Sequence, residues 1–236
     1  CAWNVFVLEA LAPRPLTEMP AAVLEDMEFS QVSIFAVEVQ PNELHSRMQM
    51  TDVDNRRRMR HAHMVNITAE IMTQGMRADF LAIDHLSQAV LDKVREATYV
   101  RATTPAGTDI HAQLNPDYRW FKTSGIISPE KWGNLPGGEC FTAPGEVNGV
   151  FVVDGVVGDF LCSRYGILRD QPLTINIEGN RITRVSSENK ALERDFWAYT
   201  HTAENSDRVG EFAIGTNIGV ERVIGTLLQE DRKSVV

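Results

Sequence analysis

The chain has 236 residues, of which 43% are hydrophobic and 23% charged, and its 23 Lys and Arg against 32 Asp and Glu leave a formal charge of −9. These values describe an ordinary soluble globular protein of one large or two small domains, not a disordered or fibrous one. No apolar run reaches the roughly 18 residues of a membrane helix, and the acidic balance excludes a generic binder of nucleic acid or of anionic membrane.

In chain order, Thr17 is an N-cap for a short helix over 18–27. Residues 32–39 are rich in β-branched and aromatic side chains and predict a mostly buried strand. Residues 54–73 predict the clearest helix, with Met59, Met64, Ile67 and Ile71 three to five apart and Gly75 as the stop. Arg56, Arg57, Arg58 and Arg60 then form a solvated basic face. On such a helix His61 and His63, two apart, point to nearly opposite sides, which predicts surface histidines and not a metal pair. His45, His85, His111 and His201 are isolated. Residues 81–97 predict a second helix with Leu86, Val90, Leu91 and Val94 on one face, and 99–103 a short strand. This alternation predicts an α/β layer with a parallel sheet, packed through Ile34, Phe35, Val37, Val39, Ile67, Ile71, Leu86, Val90 and Val94.

After Pro105 the character changes. Strands are predicted over 109–114 and 149–153. Residues 173–178 and 181–185 flank Gly179-Asn180, a strong hairpin signal, because a two-residue turn needs positive φ at both positions. A helix over 190–199 and a strand over 211–215 follow. The predicted organisation is an α/β domain over 1–105 and a β-rich α+β catalytic domain over 106–236. Residue 1 is Cys, and the chain stops at Val236 as a new apolar run begins, so a fragment truncated at both ends is expected. Cys1, Cys140 and Cys162 form no disulfide framework and no CxxC, which predicts a reducing, cytoplasmic setting. Asn66-Ile67-Thr68 matches the glycosylation pattern by chance.

The chemistry narrows to carboxylates. Gly137-Gly138 lacks the spacing of a phosphate loop, and no G-x-S-x-G elbow is present. Glu139 sits between that glycine turn and a short β-run ended by Pro144. Glu211 repeats the device 72 positions later: Gly210, Glu211, strand, Gly215. Spacing alone leaves two readings open: paired carboxylates in a cleft, or one exposed Glu in each turn.

The run Asn134-Leu135-Pro136-Gly137-Gly138-Glu139-Cys140-Phe141-Thr142-Ala143-Pro144 resembles the N-x-P-x-G-E-[VC]-[FY]-T-[AS]-P signature of the M29 metal-dependent aminopeptidases, with Cys140 where Val is usual. The stretches at 210–215, 107–110 and 149–154 resemble that family's second Glu motif and two of its strands, and the likeness runs from about residue 76 to the end. It implies that Glu139 and Glu211 are metal ligands that come together in space, one of them a candidate bridge. Two divalent ions of Zn, Co, Mn or Mg would activate a water against a peptide. The remaining His and H-x-D segments of that family are not in residues 1–236. A shorter branch of the same superfamily, the ring-opening 2,5-dihydroxypyridine dioxygenases, is the alternative; there one iron is held by His and Asp residues of the C-terminal part. A third reading is a non-catalytic relative that keeps the fold for binding or assembly. The expected partners are a peptide or small-molecule substrate and a second copy in a homodimer, with no nucleic acid and no membrane.

Overall fold

The computed structural model describes residues 2–232; Cys1 and residues 233–236, with the apolar run expected there, lie outside the described residues. The N-terminal part runs α1 (Leu8–Leu11), α2 (Ala21–Phe29), β1 (Val32–Val37), α3 (Leu44–Arg57), β2 (Arg60–Val65), α4 (Ala69–Thr73) and α5 (Phe80–Glu96). The rest runs β3 (Tyr99–Thr103), β4 (Asp109–Gln113), β5 (Phe121–Thr123), β6 (Gly133–Asn134), β7 (Glu139–Thr142), β8 (Glu146–Val153), α6 (Gly158–Tyr165), β9 (Leu173–Glu178), β10 (Arg181–Ser186), α7 (Lys190–Tyr199), β11 (Phe212–Gly215) and α8 (Leu227–Glu230). The α/β class is as expected.

The helix expected over 54–73 does not exist. Arg58 takes left-handed φ of 52° and closes α3. Residues 60–65 then extend and pair in parallel with β1, from Val32↔Arg60 to Val37↔Val65. His61, Ala62, His63 and Met64 are all buried. A parallel strand covered on both faces shows no alternation of apolar and polar residues, so its apolar positions mimicked a helical period. Of the predicted range only 54–57, the end of α3, and α4 are helical, α4 being started by the Thr68 hydroxyl accepting the Ile71 N–H at 3.2 Å.

Helix α5 forms as expected because the Asp79 carboxylate accepts the Leu81 and Ala82 N–H groups at 2.9 and 3.1 Å. Its buried face is Ile83, Ser87, Leu91 and Val94; Leu86 is 41% exposed. Ile34 is 64% exposed because it lies with Ala36 on the uncovered face of β1, opposite Ser33, Phe35 and Val37. Phe35, Ile71 and Val94 are buried, and Val37, Val39, Ile67 and Val90 are half-buried. The helix predicted over 18–27 starts instead at Ala21, after Pro20, with no side-chain cap from Thr17.

Three sheets result: parallel β1-β2-β6, antiparallel β10-β9-β8-β4-β3, and antiparallel β11-β7-β5. Residue 105 lies in the turn that joins β3 to its partner β4, so β3 belongs with the later strands. The Gly179-Asn180 turn has φ of 55° and 68°, and the Asn180 side chain accepts the Val147 N–H and donates to the Gly145 carbonyl, both at 2.6 Å. One core packs β4, β8, β9 and β10 against α6 and α7 through Val147, Leu173 and Leu192. A second packs α2 and α3 on β1 through Val23, Phe35 and Val53. A third sets Leu91 and Val94 of α5 on Trp120 and Cys140. The segment from β6 to β7 crosses from the parallel sheet to the small antiparallel sheet, and Glu139 is the first residue after the crossing.

Candidate functional site

The crossing explains the glycines. The Leu135 N–H donates to the His63 carbonyl at 3.0 Å, the Gly138 N–H to Thr123 at 2.7 Å, and the Thr216 N–H to the Gly138 carbonyl at 2.8 Å. A Cβ on Gly137 would lie 2.2 Å from the Gly125 nitrogen. Gly138 has φ of +126°, and a Cβ there would lie 2.7 Å from the Asn217 nitrogen. The turn is therefore a place where three backbone segments meet. Buried Asn217 locks it, donating to the Gly75 and Gly137 carbonyls at 3.1 and 2.8 Å.

Glu139 leaves this turn buried, 6% exposed. Its Oε1 accepts the Thr123 hydroxyl at 3.0 Å, and its Oε2 is in ion-pair contact with Nη1 of the equally buried Arg232. Burial pushes the Glu139 carboxyl up; the Arg232 charge pulls it back, and the Asp231 and Glu211 charges add to the rise. Glu211 stands just before β11. In the ladder Glu139 faces Gly215, while Glu211 precedes the paired residues, so the two glutamates stand at opposite ends of the ladder, with Cα positions roughly 14 Å apart along it. Glu211 is exposed; partial burial and the Asp231 charge push its carboxyl up, and Arg232 opposes them.

Three carboxylates, Glu139, Glu211 and Asp231, thus act on one guanidinium. As a metal site the arrangement is incomplete. The inner oxygen of Glu139 faces a cation of the chain itself, and among the described residues no three His, Cys, Asp or Glu side chains converge as ligands.

A second polar cluster was missed by the sequence reading. His61 and His63 are not surface residues of a helix; they are 0% and 5% exposed on β2. A spacing of two separates side chains on a helix and aligns them on a strand, so the two rings share one face. Ser33 Oγ lies 2.6 Å from His61 Nδ1, and His61 Nε2 lies 2.9 Å from His63 Nδ1. Phe35 packs on His63 at 4.9 Å between ring centroids, and Trp132 closes the group at 5.6 Å. Burial lowers both imidazoles to about 4, so they are neutral at pH 7.

This fixes the sign of a pH effect. The unfolded imidazoles take up protons near 6.5 and the folded ones only near 4. The stabilisation is complete above pH 6.5 and is lost as pH falls from there towards 4. At pH 5 the loss is about 2 kcal/mol per independent imidazole. Thermal melts of wild type and a His61→Phe/His63→Phe variant between pH 7.5 and 5 isolate it: the wild-type curve should fall further than the variant's. Parallel curves would contradict the burial assignment.

A family model described as NicX: 2,5-dihydroxypyridine 5,6-dioxygenase matches residues 42–208. Among solved structures, the 2,5-dihydroxypyridine dioxygenase from Pseudomonas putida KT2440 is similar at 18% identity with a TM-score of 0.58, covering 82% of this chain and 53% of that one. AmpT from Thermus thermophilus is similar at 16% identity with a TM-score of 0.58, covering 94% of this chain and 67% of that one. At these identities the likeness is one of fold, and this chain spans about half the length of the Pseudomonas enzyme. A search of the curated proteins finds no match. The likeness to AmpT is one of fold alone, and the specific M29 assignment is not supported. The matched stretch contains β2 with its histidines, the glycine turn and Glu139, and it takes in more than half of the sequence: the chain belongs to the NicX, 2,5-dihydroxypyridine 5,6-dioxygenase, family.

Proposed function

We propose that the protein carrying this chain is a metal-dependent ring-opening dioxygenase. Its substrate is a small hydroxylated heteroaromatic of the 2,5-dihydroxypyridine type, and its metal is iron. The family match over residues 42–208 carries this reading. The iron, when bound, supplies the activation of dioxygen. The described residues do not form its ligand set, and their contribution is of another kind. The Ser33–His61–His63 chain holds its two imidazoles buried and neutral at pH 7. Phe35 and Trp132 give it planar apolar walls that limit water.

One observation favours a second reading, an aminopeptidase using two divalent ions. Glu139 opens β7, and Glu211 immediately precedes β11, the strand that pairs with it. The two readings separate in one assay. The protein is loaded anaerobically with Fe(II), given 2,5-dihydroxypyridine and then air, and followed by ring absorbance and an oxygen electrode. Loss of the ring absorbance with equimolar oxygen uptake is expected. No uptake, with amino acid released from a Leu-amide substrate by the Zn(II)- or Co(II)-loaded protein, moves the assignment to the second reading.

A further inference from the structure

The segment after β11 is clamped onto the glycine turn. The Ile224 and Gly225 N–H groups donate to Glu230 Oε1 at 2.7 and 2.9 Å. Gln229, fully buried, accepts the Gly75 N–H at 3.3 Å. The Asn217 N–H donates to the Arg232 carbonyl at 2.9 Å, and the Arg232 N–H to Gln229 at 3.0 Å. These bonds deliver the Arg232 guanidinium, its side chain 5% exposed, to Glu139. Its Nη1 touches Glu139 Oε2 and lies 3.2 Å from Asp231 Oδ2. Beyond these ion-pair contacts, neither Nε nor Nη1 has a hydrogen-bond partner among the described residues.

A buried carboxylate needs a cation or several N–H donors. Glu139 has one hydroxyl donor and one guanidinium. We infer that Arg232 is the resident cation of Glu139, and that Glu139 is a positioning residue, not a metal ligand, seating the segment 224–232 on the turn at 136–138. The two remaining carboxylates, Asp231 and the exposed Glu211, complete the negative surroundings of the guanidinium. The inference does not rest on the identity of the substrate, and its readouts are metal content and thermal stability. A failed dioxygenase assay leaves it standing.

The test compares wild type with Glu139→Gln, Arg232→Met, the double variant and Arg232→Lys. Each is loaded with Fe(II) or Zn(II) and analysed for bound metal per chain. Unchanged metal content in Glu139→Gln is expected. Arg232→Met should lower the melting temperature by roughly 10 °C, because it leaves a buried carboxylate without its cation. The double variant should lose less than the sum of the two single losses, and Arg232→Lys should recover most of the loss. A tenfold or greater fall in metal affinity in Glu139→Gln overturns the inference. So does tight Zn(II) binding by Arg232→Met that vanishes when Glu139 is also replaced, or strict additivity of the single losses. If Arg232→Met does not fold, the metal content of Glu139→Gln decides alone.

Discussion

Glu43→Ala is expected to lower the melting temperature by roughly 10 °C at pH 7. The carboxylate is 3% exposed and carries the join between the N-terminal segment and the β1–α3 connection. Its Oε1 accepts the Leu16 N–H at 2.7 Å; its Oε2 accepts Arg14 Nη2 at 2.6 Å and the Gln40 N–H at 2.9 Å. Removing it leaves the Leu16 and Gln40 N–H groups without their acceptor and takes the Glu43 charge from the buried Arg14 guanidinium, which keeps Glu9 and the Glu38 carbonyl. Breaking a buried pair in this way costs about 3–5 kcal/mol, and each kcal/mol is about 2–4 °C for a chain of this size. The hydrogen bonds from Arg14, opposed by burial and helped by the backbone donors, hold the carboxyl at about 2 against 4.5 in the unfolded chain. The stabilisation is therefore complete above pH 4.5 and lost as pH falls towards 2. Urea melts of variant and wild type should differ most at neutral pH and converge near pH 2. A difference of only a degree or two at pH 7 would show that Glu43 is not what holds the join.

Gly138→Ala should cost about as much, and should also displace Glu139. The backbone sits at φ of +126°, which carries a strain of about 1–3 kcal/mol for any L side chain. The added methyl would lie 2.7 Å from the Asn217 nitrogen and 2.9 Å from its Cα. These are backbone atoms, so relief requires β7 to separate from the segment after β11, at a further cost of about 1–3 kcal/mol. The expected results are a total loss of about 4 kcal/mol in chemical denaturation and faster amide exchange at Thr216, whose N–H donates to the carbonyl of residue 138 at 2.8 Å, and at residue 138 itself, whose N–H donates to Thr123 at 2.7 Å. Wild-type exchange at both positions would contradict the close packing assigned to this turn.

The elements legible in the sequence were those whose signals are local. Helix α7 forms over the predicted range, and the structure adds its cap: the Asn189 side chain accepts the Ala191 and Leu192 N–H groups at 3.1 Å. Helix α5 was legible through the apolar period that holds Leu91 and Val94, and the β9–β10 hairpin through Gly179-Asn180. Strand β2 was not legible: it is buried on both faces, so it shows no period of two, the apolar positions around it mimic a helical period, and its basic flanks read as a helix surface. The histidines went wrong with it, since one spacing has opposite meanings on the two elements. A single cue was present: the same His-x-His spacing that argues against a helical pair is the natural one for a strand pair.

The site was half legible. A glycine turn before Glu139 announces a close approach, but not what approaches. That turned out to be the backbones of Gly125 and Asn217, the latter some 80 positions on. Glu139 and Glu211 each follow a glycine at a strand start. Antiparallel pairing then sets the two starts at opposite ends of one ladder, and register is a property of the partner, not of either segment. Arg232 carries no local mark at all; only the path taken by residues 217–232 brings it to Glu139.

The most direct test of the dioxygenase reading is the fate of the oxygen atoms. The Fe(II)-loaded protein is given 2,5-dihydroxypyridine under ¹⁸O₂ in ordinary water, and the product is weighed by mass spectrometry. A ring-opened product that carries both atoms of one labelled dioxygen molecule is the predicted result. Recovery of the substrate unchanged, with no labelled oxygen consumed, together with hydrolysis of a Leu-amide by the same protein loaded with Zn(II) or Co(II), would contradict the account and place the enzyme with the hydrolases that share its fold.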